Sequence, residues 1–179
     1  IFYGGEPLLN KATFFHCLEK IDRLKKDGLL PQGTHLLLAT NGTLIDDGVI
    51  EACLKHDVLV ALGLDGPEET NDLLRVYADG RGTFSDIRAM LERLQKRSVR
   101  TAVSASLTPY SIRTLKELSG VLHAVGVVKF GVNFLKGQAV VELLPDDERE
   151  AFTQASVDAV IGRHRYDDDA GYEYQVEKK

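Results

Sequence analysis

The chain has 179 residues, of which 44% are hydrophobic and 27% are charged, and its 27 acidic and 22 basic residues give a formal net charge of -5. This length is enough for one substantial domain, and the composition is ordinary for a globular protein. The acidic balance argues against a nucleic-acid-binding surface, and no apolar run is long enough to cross a membrane. We therefore expect neither nucleic acid nor a membrane among the partners.

The two cysteines, Cys17 and Cys53, lie far apart in segments of helical pattern. They are too few for a disulfide framework and lack the spacing of metal ligands, so we predict buried structural thiols. This usage suits a reducing compartment, and we expect a cytoplasmic protein.

Short apolar runs alternate with amphipathic helical patterns along the chain, which predicts five β-α units. Asn10, Asp46 and the segment 83–86 supply helix-starting signals, the last as a variant of the capping box. The third apolar run, 58–64, is apolar throughout, as expected of a strand covered on both faces. The predicted strands are 1–3, 35–39, 58–64, 100–107 and 127–135, and the predicted helices are 10–27, one from 46, one from 83, 111–126 and 145–161.

Consecutive β-α units imply a parallel sheet with right-handed crossovers. A doubly wound sheet and an α/β barrel both fit this periodicity. One domain is predicted over residues 1–162, and the polar residues 163–179 are typical of a connector toward a further region. Because the first strand has almost no lead-in, we expect the sequence to be part of a longer protein.

Three successive predicted strands end in small residues that accompany a polar side chain. These ends are Gly4-Gly5-Glu6-Pro7, Thr40-Asn41-Gly42 and Asp65-Gly66-Pro67. Each is a common turn by itself. The carboxyl ends of parallel strands meet at the edge where ligands bind, so their coincidence indicates a ligand site.

These three turns, followed by Arg75 and Gly80-Arg81-Gly82-Thr83-Phe84, resemble in order and spacing the motifs of the radical S-adenosylmethionine (radical SAM) enzymes. The likeness is closest to the branch that matures peptides and proteins, including the SPASM-containing anaerobic sulfatase-maturating type. It runs from residue 1 to about residue 135. The resemblance implies a TIM-like partial barrel of six β-α units, of which this α/β chain would hold the second to the sixth.

The resemblance also implies roles for individual residues. The turn of Gly4, Gly5, Glu6 and Pro7 would receive the amino group of S-adenosylmethionine (SAM), with Glu6 either contacting the ammonium or only bracing the backbone. Arg75 matches the arginine that reaches the SAM carboxylate, since its planar fork suits a bidentate contact. The alternative for Arg75 is a surface pairing with a nearby aspartate, Asp72 or Asp79.

Further residues at the same edge of the sheet complete the predicted cofactor site. Thr40 and Asn41 would lie near the ligand or the substrate, and Asp65 belongs to the same set. Asn133, at the end of the last strand, would either face the adenosine or serve as a strand-end turn residue. Gly63 departs from relatives that carry serine there, which removes a hydroxyl that helps to hold the carboxylate. No catalytic residue is assigned.

Radical SAM enzymes bind a [4Fe-4S] cluster through a Cys-x3-Cys-x2-Cys loop after their first strand, and thiolates are the ligands such clusters require. Neither Cys17 nor Cys53 can replace that loop, so we expect the cluster ligands upstream of Ile1 and no metal ligand within the 179 residues. In the family the cluster transfers one electron to SAM, which is cleaved to methionine and a 5′-deoxyadenosyl radical, and this radical takes a hydrogen atom from the substrate. The 179 residues alone are therefore expected to be inactive. The implied partners are a peptide or protein substrate and an electron donor such as a ferredoxin or flavodoxin.

Two other interpretations remain open at this point. One is a degenerate, non-catalytic barrel that binds a peptide or another ligand, which Gly63 and the missing cysteines keep open. The other is an unrelated parallel α/β enzyme whose turns match by chance.

Overall fold

The computed structural model describes residues 1–108, 111–127 and 129–134. Within these ranges helices alternate with strands, except that two α-helices lie between the second and third strands, and two short 3-10 helices lie at Pro7–Asn10 and Ile112–Thr114. The α-helices are α1 (Lys11–Lys26), α2 (Asp47–Lys55), α3 (Glu68–Asn71), α4 (Phe84–Lys96) and α5 (Leu115–Ala124). The strands are β1 (Leu36–Thr40), β2 (Val58–Gly63), β3 (Thr101–Leu107) and β4 (Phe130–Phe134).

The four strands lie side by side in chain order, and each neighbouring pair is parallel. Phe2 extends the sheet beyond β1 through a single parallel bridge to Leu38. A doubly wound sheet reverses its strand order at one point, whereas sequential parallel strands with helical connections are the arrangement of an α/β barrel. The predicted TIM-like partial barrel is thus confirmed, and the doubly wound alternative is not.

The two faces of the sheet differ in burial. On the helix-facing side, Leu38, Val60 and Val103 are almost fully buried. The opposite face is only half-buried, and β2 alternates between the two states along its length. The prediction that 58–64 is covered on both faces is therefore wrong, because the helices cover only the outer face. Helix residues that pack into the same core include Phe14, Leu18, Val49, Ile50, Ile87, Leu91, Leu94, Leu118 and Leu122.

The helix-starting signals are confirmed for two helices and wrong for a third. Asn10 accepts a hydrogen bond from the Thr13 amide at the start of α1, and Asp46 caps α2 in the same way. Thr83 makes no side-chain cap at α4. Instead, the Asp72 carboxylate accepts from the backbone amides of Thr83 and Phe84, both at 2.9 Å. A carboxylate from a distant loop thus does the capping, and it suits the positive end of the helix.

Other differences are small, and several predictions lie outside the described residues. The helix predicted from Ser111 begins as the 3-10 turn and becomes α5 only at Leu115. The last strand begins at Phe130 rather than at 127. The helix predicted at 145–161, the connector 163–179 and the 1–162 domain boundary all fall on or reach into residues that are not described. No helix in the described ranges has the length and apolar character needed to cross a bilayer.

Candidate functional site: the carboxyl-end rim of the sheet

The first turn of the chain, Gly4-Gly5-Glu6-Pro7, leaves its main chain accessible. Gly4 has a φ of +140°, a conformation that residues with a side chain rarely adopt. Nothing lies within 4 Å of a Cβ built on either glycine, and both glycines are exposed. A ligand can therefore approach the peptide groups of this turn without displacing a side chain.

The Glu6 carboxylate ties this first turn to the end of β1. Its Oε1 accepts from the Thr40 hydroxyl at 2.7 Å and from the Leu8 amide at 3.0 Å. Its Oε2 accepts from the Asn41 amide at 2.8 Å. Of the two roles considered for Glu6, the bracing of the backbone is therefore observed, and it fixes the relative position of two of the three predicted turns.

Asp65 and Arg75 form a bidentate ion pair at the end of β2. Arg75 Nε donates to Asp65 Oδ2 at 2.6 Å, and Arg75 Nη2 donates to Asp65 Oδ1 at 3.0 Å. The Ser106 amide also donates to Asp65 Oδ1, at 2.7 Å. The Asp65 side chain is 7% exposed and that of Arg75 is 29% exposed. The predicted alternative partners of Arg75, Asp72 and Asp79, are not the ones that it binds.

The Arg75 guanidinium lies directly against Gly63. A Cβ added to Gly63 would stand 2.9 Å from Arg75 Nη1 and 3.1 Å from Cζ and from Nη2. Any larger residue at 63 would therefore have to displace the arginine. Glycine rather than serine at position 63 therefore leaves the space that the Arg75 guanidinium occupies.

Asn41 and Arg75 line one hollow of about 280 Å³. The predicted residues Glu6 and Thr40 support its wall through their contacts with Asn41 and Gly42. Of the predicted site residues, Asn41 from the second turn and Arg75 from the segment after the third turn therefore share this hollow. The hollow is lined by Asn41, Thr43, Leu74, Arg75, Val76, Tyr77 and Thr83.

Sequence reasoning missed several of these lining residues. Thr43 follows the Thr-Asn-Gly turn, and both its amide and its hydroxyl donate to Asn41 Oδ1. Tyr77 lies in a stretch without periodicity, and only the glycines at 80 and 82 indicated a turn there. Asn71 is fully buried, accepts from the Asp65 amide and donates to Thr83, so it also holds the rim together.

Asn133 lies near the carboxyl end of β4 on the inner face of the sheet. Its Nδ2 donates to the Ser104 hydroxyl at 2.6 Å, and its side chain is exposed. In register, Gly63 pairs with Ser104 and Ser104 with Gly131, so small residues cross this face. Asn133 therefore lies on the face that also carries Gly63, across the sheet from β1.

A second polar cluster lies on the hairpin that follows Arg75. Val76 and Gly82 form an antiparallel bridge, and Arg81 lies over the Tyr77 ring at 4.3 Å from its centroid. Asp86 accepts from the Tyr77 hydroxyl at 2.9 Å and from Arg81 at 2.8 Å. Partial burial raises the pKa of the Tyr77 phenol, and the hydrogen bond to Asp86 raises this pKa further.

We expect Tyr77 to ionise at a higher pH than an ordinary tyrosine, and Asp86→Asn to lower that pH because the neighbouring negative charge is removed. Since the pKa is raised on folding, its contribution to stability is complete below the unfolded-state pKa and is lost as pH rises through the folded-state pKa. The tyrosinate absorbance of the wild type minus that of Tyr77→Phe gives the titration. Glu92→Gln, a matched change further along α4, should leave the midpoint unchanged. An unchanged midpoint in Asp86→Asn would contradict the contact.

The described residues do not supply ligands for a [4Fe-4S] cluster. No group of three or more His, Cys, Asp or Glu side chains within the described ranges could hold a metal ion. Both cysteines are free, and burial raises the pKa of the Cys53 thiol to about 12, which disfavours a metal-binding thiolate.

Sequential parallel strands with polar turns gathered at their carboxyl ends define an α/β barrel of the type that carries enzyme sites at this edge. The model of the radical SAM superfamily matches residues 1–123, and the chain belongs to that superfamily. This match confirms the resemblance seen in the sequence. It also confirms, at the level of the family, the predicted cofactors, which are SAM and a [4Fe-4S] cluster.

The relatives point to the predicted branch of the superfamily. The chain is 32% identical over 117 residues to a cysteine-type anaerobic sulfatase-maturating enzyme of Clostridium perfringens, covering 65% of this chain and 31% of that protein. It is 36% identical over 86 residues to a serine-type anaerobic sulfatase-maturating enzyme of Klebsiella pneumoniae, covering 48% of this chain and 21% of that protein. The chain therefore spans about a third or less of these relatives.

A solved structure agrees with this relationship. Native anSMEcpe with bound AdoMet and the Kp18Cys peptide superposes with a TM-score of 0.64 at 27% identity, covering 74% of this chain and 36% of that one. AdoMet is SAM, so that relative holds both the cofactor and a peptide.

Proposed function

We propose that this chain forms the SAM-binding rim of a radical SAM enzyme that modifies a peptide or protein. The observation that carries the proposal is the Arg75 guanidinium, which lines the hollow while Asp65 holds only one of its edges. Guanidinium presents five N–H donors, and Asp65 engages two of them. The remaining edge offers parallel donors for a second carboxylate, the group at the amino-acid end of SAM.

The other rim residues fit the remaining parts of SAM. The accessible peptide groups of Gly4 and Gly5 supply carbonyl acceptors for the ammonium, and Pro7 ends that turn. Glu6 orders the turn and adds negative charge beside it. Thr40 and Asn41 form the adjoining wall, and Asn133 is the candidate contact for the adenosine. These assignments are proposals that follow from the placement of each residue.

In this family the cofactor pair supplies hydrogen-atom abstraction from the substrate. The chain's own residues bind, orient and enclose SAM. The two cysteines do not fit the cluster, and we propose that the 179 residues alone do not cleave SAM. A ferredoxin- or flavodoxin-type protein is the proposed electron donor of the full-length enzyme.

A peptide or protein substrate is supported by the relatives, which are named as sulfatase-maturating enzymes, and by the solved relative with a bound peptide. The alternative, a non-catalytic binding barrel, is not favoured, because these relatives are enzymes. A cytoplasmic location stays a prediction from cysteine usage.

The test uses the full-length protein, reconstituted anaerobically with iron and sulfide and reduced with dithionite. We expect mass spectrometry to detect 5′-deoxyadenosine and methionine in equal amounts from SAM, and neither product without reductant. A peptide that carries cysteine or serine, deuterated at carbon, should transfer deuterium into 5′-deoxyadenosine if peptides are the substrate class.

Two results would contradict the proposal in different ways. A cluster-loaded protein that binds SAM but never cleaves it would support the non-catalytic barrel. Cleavage without deuterium transfer from any such peptide would retain the enzyme class and remove the peptide substrate.

A further inference from the structure

We infer that Asp65 is a positioning residue that sets the orientation of Arg75, and that it acts on SAM only through Arg75. This inference rests on the proposed function. The sequence predicts Asp65 among the cofactor-binding residues, either in direct contact with SAM or in support of another residue. The contacts of its carboxylate distinguish these two roles.

Both oxygens of the Asp65 carboxylate are occupied by protein donors. Oδ2 accepts from Arg75 Nε, and Oδ1 accepts from Arg75 Nη2 and from the Ser106 amide. With only 7% of the side chain exposed, little of it is left for a ligand. A second carboxylate placed against Asp65 itself would also meet a like charge.

The pair fixes which edge of the guanidinium is available. Nε and Nη2 point toward Asp65, so the free N–H groups are those of Nη1 and the second N–H of Nη2. No hydrogen bond joins Nη1 to another group in the described residues, and Arg75 lines the hollow. Without Asp65, the long side chain would sample other rotamers, and that edge would no longer be held in place.

Further contacts restrict the Arg75 guanidinium and anchor Asp65 to the sheet. Gly63 lies under the guanidinium, where a Cβ would approach within 2.9 Å of Nη1. The Ser106 amide anchors Asp65 to β3, and Asn71 accepts from the Asp65 amide at 3.2 Å. Asp65 is therefore anchored to the sheet, whereas Arg75 lies in the loop that follows α3. By binding Arg75, Asp65 holds the guanidinium in a fixed position relative to the sheet.

The experiment compares two ligands, SAM and its decarboxylated analogue, by anaerobic isothermal titration of the full-length protein. In Asp65→Asn, an amide replaces one acceptor and opposes an arginine N–H. We expect its Kd for SAM to rise at least about tenfold, while its Kd for the decarboxylated analogue stays within about twofold. Asp79→Asn, the same change at an exposed position two residues before Arg81, should alter neither Kd.

A second variant tests whether Asp65 acts through the arginine. Arg75→Lys keeps the charge but loses the planar fork, and it should also weaken SAM selectively. Adding Asp65→Asn to Arg75→Ala should weaken SAM no further, because the two residues act as one unit.

The outcomes separate this inference from the proposed function. Equal loss of both ligands in Asp65→Asn, or no loss of either, would overturn the positioning role while SAM binding by the wild type still stands. Additive effects in the double variant would overturn it as well. A wild type that binds neither ligand would overturn the proposed function together with this inference.

Discussion

Replacing Arg75 with alanine should weaken SAM binding by about 100-fold, equivalent to about 2.7 kcal/mol. The proposed function assigns two charge-assisted donors of Arg75 to the SAM carboxylate, and the variant removes them. It also leaves Asp65, which is nearly buried, without its cation. Isothermal titration of the full-length protein under anaerobic conditions measures the change.

The matched control for this prediction is Arg88→Ala. Arg88 is an exposed arginine on α4 that pairs with Glu92, four residues along the same helix. A surface pair of this kind contributes little, so the control should bind SAM as the wild type does. If Arg75→Ala binds SAM within about twofold of the wild type while folding normally, Arg75 does not belong to the site.

Replacing Glu6 with alanine should lower the free energy of unfolding by about 2–4 kcal/mol and should also weaken SAM binding. The carboxylate accepts three hydrogen bonds, from the Leu8 amide, the Thr40 hydroxyl and the Asn41 amide. Its loss leaves the buried Thr40 hydroxyl without that acceptor and releases the glycine turn from β1. Urea unfolding measures the first effect, and titration with SAM measures the second.

Two further variants sharpen this prediction. Glu6→Gln keeps one acceptor oxygen and should fall between the wild type and Glu6→Ala in both measurements. Glu19→Ala removes an exposed acid from α1 and should change neither. A Glu6→Ala protein that unfolds at the wild-type urea midpoint would show that the carboxylate does not hold the rim together.

Local signals were sufficient for much of the fold. Asn10 and Asp46 cap their helices as predicted, because a cap depends only on residues within one turn. The Thr83 cap failed because the acceptor comes from Asp72, eleven positions earlier. That contact depends on the path of the intervening hairpin, which has no periodicity in the sequence.

The sequence predicted that the three turns of the candidate site lie at one edge of the sheet, but it did not predict which side chains contact each other there. The three turns could be aligned because parallel strands bring their carboxyl ends together. The partner of Arg75 could not be chosen from sequence, since Asp65, Asp72 and Asp79 are all within ten positions of it. The structure selects Asp65 because Gly63 leaves space for the guanidinium beside it. The role of Glu6 could not be chosen from sequence either, because its contacts with Thr40 and Asn41 join residues 34 and 35 positions apart.

The most direct measurement is a crystal structure of the full-length protein with SAM. We predict that the SAM carboxylate lies within hydrogen-bond distance of the free edge of Arg75, at Nη1 and Nη2, and that its ammonium contacts carbonyl oxygens of the Gly4-Gly5 turn. An ordered SAM molecule bound elsewhere, with Arg75 and this turn both unoccupied, would contradict the account.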